Sequence, residues 1–132
     1  MTAEKDKIKN VILCEDIREE IGNKKSLMGV LGGDIVVATI PAAIQVAVYF
    51  EYLPDDDETD SFALKFRLWQ DDVEIATGEM QAPLQIGKTV TLIVPRGVVL
   101  FEKEGTLRIT ASVRDGKEFQ ILSKKVTKSF TS

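Results

Sequence analysis

Phe62-Ala63-Leu64-Lys65-Phe66-Arg67-Leu68 sets a large apolar side chain at every second residue, with small or charged ones between. That two-residue period is the mark of a half-buried β-strand. Asp71-Asp72 supplies a turn just beyond it, and Val73-Glu74-Ile75-Ala76 reads as the returning arm of a hairpin. The alternation recurs downstream. Leu107, Ile109, Ala111 and Val113 share one face, and Thr106, Arg108, Thr110, Ser112 and Arg114 the other. Asp115-Gly116 is a strong hairpin signal, with Lys117 to Leu122 as its second strand.

Working outward from these hairpins, Thr89 to Val94 is a short β-branched run closed by Pro95-Arg96-Gly97. Ile44, Val46, Val48, Phe50 and Tyr52 alternate through a long strand that stops at Pro54. Asp34 to Ile40 is a denser apolar run ending at Pro41, the pattern expected of a central strand. A first strand covers about Ile8 to Cys14, and the charged stretch Glu15 to Glu20 reads equally as its continuation or as a helical turn. No long segment keeps a helical period. The turn spacing predicts an all-β chain: a single domain over residues 1–132, an antiparallel, immunoglobulin-like β-sandwich of about seven to nine strands.

Composition narrows the chemistry. The chain has 132 residues, 44% of them hydrophobic, enough for a core without metal or disulfide help. It has no histidine, which removes most hydrolase triads and most catalytic zinc sites. The lone Cys14 has no internal partner, and neither Asn10 nor Asn23 begins a glycosylation sequon. The opening residues are polar and of mixed charge, with no apolar run after them, so the expectation is a cytoplasmic protein with no membrane partner. A net charge of -4 opposes phosphate backbones, and Lys24-Lys25 and Lys124-Lys125 with Lys128 read as solvated residues; no nucleic-acid partner is expected.

Several stretches imitate chemical motifs. Gly87-Lys88-Thr89 matches the end of a phosphate-binding loop, but Ala82 stands where the motif needs glycine, and a strand pattern follows instead of a helix. The acidic run Asp55 to Asp60 offers oxygen ligands, with Asp55, Asp57 and Asp60 the candidates for calcium and Asp71, Asp72 or Asp115 as possible additions. Counted as an EF-hand from Asp55, the run puts Asp60 at the glycine position and Phe66 at the bidentate glutamate. A solvated, self-repelling loop is the simpler reading. The 21 acidic residues form no distinctive carboxylate pair motif, and Cys14 ends the apolar run Val11-Ile12-Leu13 as a buried thiol would. No catalytic residue and no cofactor are expected.

Two aromatic residues fall out of phase with the core. If Ile44 to Phe50 point inward at alternate positions, Tyr49 points outward, and Trp69 leaves the face set by Phe62 to Leu68. Tyr49 and Trp69 are therefore the partner-binding candidates, the alternative being that both pack between neighbouring strands on the outer faces.

The stretch Asp16-Ile17-Arg18, Gly22-Asn23-Lys24 and Ser26-Leu27-Met28-Gly29 resembles the opening of a family of small bacterial and phage-associated proteins of unknown function. Pro41 and Gly105-x-Leu107-x-Ile109 fit the same picture. The resemblance implies a compact β-sandwich with Ser26 to Gly29 in a strand, and no assigned activity. On a strand Asp16 and Arg18 share a face and suit an ion pair, while Gly22-Asn23 suits a turn with positive φ. The step Glu104-Gly105-Thr106-Leu107 is similar to the penultimate strand of immunoglobulin-like sandwiches, although the tyrosine corner and paired cysteines are missing. The expected function is a non-catalytic protein-binding or structural module of a larger assembly, with self-association left open. The alternative is a sandwich that holds calcium, carbohydrate or lipid headgroups in its acidic loops.

Overall fold

The computed structural model describes residues 4–22, 24–58, 60–85 and 87–129. Within them lie one short helix, α1 (Glu4–Lys7), and nine strands: β1 (Ile8–Glu20), β2 (Lys24–Val30), β3 (Ile35–Val37), β4 (Ala42–Tyr52), β5 (Phe62–Gln70), β6 (Val73–Ala82), β7 (Val90–Phe101), β8 (Gly105–Val113) and β9 (Phe119–Lys128). They form a sandwich of two sheets, ordered β2-β1-β4-β7 and β3-β9-β8-β5-β6. All the ladders are antiparallel except that of β3 with β9, which is parallel.

The alternating faces become the core. Leu64 and Leu68 of β5 meet Leu107, Ile109 and Val113 of β8 on the inner side of one sheet. Val48, Phe50 and Tyr52 of β4 with Leu13 of β1 and Phe101 of β7 cover the other. Burial of each such side chain contributes about 2 kcal/mol. Among the described residues no helix is long and apolar enough to cross a membrane.

Several boundaries differ from the sequence expectation, each for a physical reason. Glu15 to Glu20 continues β1, because β2 supplies the partner that alternation alone did not reveal. The dense run from Asp34 yields only the three residues of β3, at the edge of its sheet. Ile35 and Val37 are buried there, but Val36 faces solvent, so the apolar density comes from both faces of an edge strand. β7 does not stop at Pro95 but runs on to Phe101. It is also an edge strand, and its register against β4 slips between Val46 and Val48, so the residue without an N–H sits where no ladder bond is lost. The β8–β9 turn is centred on Arg114-Asp115, both at positive φ, with the Gly116 N–H closing onto the Val113 carbonyl at 2.9 Å. That is one residue earlier than Asp115-Gly116. Gly22 has φ +83°, as its turn requires, and Asn23 lies outside the described residues. Asp16 pairs with Arg96 of β7 at 3.6 Å instead of with Arg18.

Candidate functional site

Tyr49 and Trp69 lie on the outer faces of opposite sheets, so they do not form one surface. Each is half-buried and engaged. The Tyr49 hydroxyl donates to Glu51 Oε2 at 2.7 Å, which raises the phenol pKa. Glu51 also accepts from Asn10, and Asn10 and Tyr49 together hold its carboxyl below the usual range. Trp69 Nε1 donates to Thr110 Oγ1 at 2.9 Å, and the Arg108 guanidinium sits 5.5 Å from the ring centre.

The acidic loop is organised by a cation. Lys7, at the end of α1, is almost fully buried and bonds Glu58, with Asp55 at 3.1 Å and Glu4 at 3.7 Å. Glu58 is the hub. It accepts from the Tyr52 hydroxyl at 2.8 Å, from the Asp55 N–H at 3.0 Å and from Arg114 at 3.2 Å. Burial disfavours its charge, but Lys7, the Asp55 amide, Tyr52 and Arg114 outweigh that and lower its pKa to about 2. Burial also opposes the charge on Lys7, yet Glu58 and Asp55 raise its pKa above the ordinary lysine value. For the Tyr52 phenol, burial and then the neighbouring Glu58 push the pKa up. Asp55 is thus committed to Lys7, while Asp57 and Asp60 point into solvent. Asp115 pairs with Lys65 near this pole. Asp71 stands at the opposite end of β5, where it caps the Thr106 N–H at 3.1 Å. Among the described residues no three acidic or thiol groups converge as a metal site would require. Gly87-Lys88-Thr89 leads directly into β7, with no helix to face a phosphate. Cys14 is fully buried, and burial raises its thiol pKa.

The feature that sequence reasoning missed lies on the open side of the sandwich. β6 ends one sheet and β7 ends the other, and among the described residues each has a hydrogen-bonded neighbour on one side only. Between them, Val46, Val48, Phe66, Leu68, Ala76, Gly78, Met80, Val94 and Gly97 line an apolar cleft of about 280 Å³. Core residues of β4 and β5 form its floor. Its walls are low because the facing positions are small: Ala76 and Gly78 on β6, Gly97 on β7. The Phe66 ring lies over Gly78, where an added Cβ would run into it. A second recess, of about 590 Å³, adjoins these strands further along, lined by Gln70, Val73, Ile75, Leu100, Glu102 and Lys103. Val73, Val98 and Leu100 are at least half exposed here, so the apolar surface continues onto both rims.

No family model matches the chain, and no curated protein matches it in sequence.

Proposed function

We propose that the chain is a non-catalytic protein-binding module that accepts an extended strand of its partner on the open side, with β6 as the docking edge. The observation that carries this reading is an apolar cleft held between two sheet edges whose outer backbone groups have no strand beside them among the described residues. An added strand satisfies those groups and inserts alternate side chains where the walls are low. The two edges are not equivalent. β7 is blunted by Pro95 and its bulge, whereas β6 from Ala76 to Ala82 carries neither a proline nor a register shift.

The immunoglobulin-like assignment belongs to the same proposal. Its support is the central order β9-β8-β5 in one sheet with β4 beside β7 in the other, which parallels the G-F-C and B-E neighbours of such domains. A role within a bacterial or phage assembly, in a reducing compartment such as the cytoplasm, is the setting we infer. It is supported by the resemblance described above and by the single buried thiol.

A displayed library of random peptides, selected against the protein and against Met80→Lys, tests the binding reading. The expected result is enrichment of peptides with apolar residues at every second position. Those peptides should lose most of their binding to Met80→Lys, compared at a temperature where circular dichroism shows the variant folded. Selected peptides that bind the variant equally well would place the binding surface elsewhere, and no enrichment at all would remove the reading.

A further inference from the structure

The open edges differ in charge as well as shape. β6 carries Glu74 and Glu79 and no cation. At the far side of the molecule β2 is also an edge strand, and it carries Lys24 and Lys25 and no anion. β2 belongs to a ribbon that lacks a third strand: β1 pairs with β4 only as far as Cys14, and from Asp16 to Glu20 it pairs with β2 alone. The ribbon tip is fully accessible, with Ile21 97% exposed. Two-stranded ribbons are marginal in water and gain from a further strand.

We propose that the occupant of the β6 edge is β2 of a second copy of this chain, so that copies join head to tail. This rests on the strand-accepting reading above and names its partner. Like-with-like pairing is disfavoured on both sides, since β6 against β6 opposes glutamates and β2 against β2 opposes lysines. β2 is long enough to cover most of the unbroken stretch of β6 from Ala76 to Ala82. An antiparallel register that sets Lys25 beside Glu79 also sets Ser26 opposite Gly78 and Met28 opposite Ala76. The methionine then enters the cleft over Ala76, one of its small wall positions. Lys25, its side chain largely buried, pairs at home with Glu19 at 3.8 Å, and the Lys65 across from Glu79 is engaged by Asp115, so among the described residues Glu79 has no ion pair within 4 Å to break. The contact joins two different surfaces, so it does not close on itself as a symmetric dimer does and builds rings or filaments.

Sedimentation velocity across a concentration series tests it. The parent protein is expected to sediment faster as concentration rises. Glu79→Lys and the double variant Lys24→Glu/Lys25→Glu each weaken that association by about tenfold. Mixing the two variants, or combining all three changes in one chain, restores it. Hydrogen exchange on the unmodified protein gives a check without mutation: amides of both β2 and β6 gain protection on assembly. A parent that stays monomeric throughout, association indifferent to the charge reversals, or protection confined to other strands would each overturn the proposal. If alternating peptides are still selected in the display experiment, the strand-accepting reading survives and only the choice of a second copy falls.

Discussion

Glu58 shows how much one side chain can organise. Its carboxylate joins α1, through Lys7, to the loop after β4 and to the β8–β9 turn through Arg114. Removing one member of a buried ion pair strands the other, so Glu58→Gln is expected to cost about 3 kcal/mol, measured by urea denaturation at neutral pH. The pH dependence follows in sign. The folded pKa is lowered from 4.5 to about 2, so the contribution is complete above the unfolded value and is lost as pH falls from there towards 2. The parent should therefore lose stability across that window more steeply than Glu58→Gln. Equal slopes would mean that the pair contributes nothing. None of this was legible in the sequence. Lys7 and Glu58 lie 51 residues apart, and Glu58 stood in a run of carboxylates that local reading treats as solvated.

The strands were legible where one face is buried and the other wet. Phe62 to Leu68, Ile44 to Tyr52 and Leu107 to Val113 keep their alternation in the structure, because a one-residue slip would carry each apolar set to the solvent face. Position within the sheet was not legible. Apolar density pointed to a central strand around Ile35–Val37, yet its one neighbour is β9. That gives a contrast within a single element. Ile35→Ala is expected to cost about 3 kcal/mol, since the side chain is buried between the sheets, whereas Val36→Asp stays within about 0.5 kcal/mol. Thermal melts of the two variants check this, and similar losses would mean that β3 buries both faces. The cleft was hidden for a related reason. Ala76, Gly78 and Gly97 look unremarkable one at a time, and only the placing of β6 and β7 at facing edges turns their small size into a groove.

At the scale of the molecule, one cluster of buried side chains spans both sheets, with Leu13, Phe50 and Tyr52 from one and Leu64, Leu107 and Val126 from the other. Cys14, next to Leu13 in β1 and paired with Ala47 of β4, lies outside this cluster yet has none of its surface exposed. Its labelling by a thiol reagent should therefore require loss of the packing as a whole, and the labelling rate in urea should follow the global unfolding equilibrium. Fast labelling of the native protein would show that β1 separates from β4 by a smaller, local opening. The parallel ladder of β3 with β9 bears on a different stage of the protein's life. Five strands separate the two in the sequence, so a chain leaving the ribosome cannot cover Ile35 until β9 has emerged. Val126, fully buried in that last strand, arrives equally late. A chain emerging in sequence order thus carries a half-covered core from β3 until β9 has followed, an interval in which its apolar surface is open to aggregation.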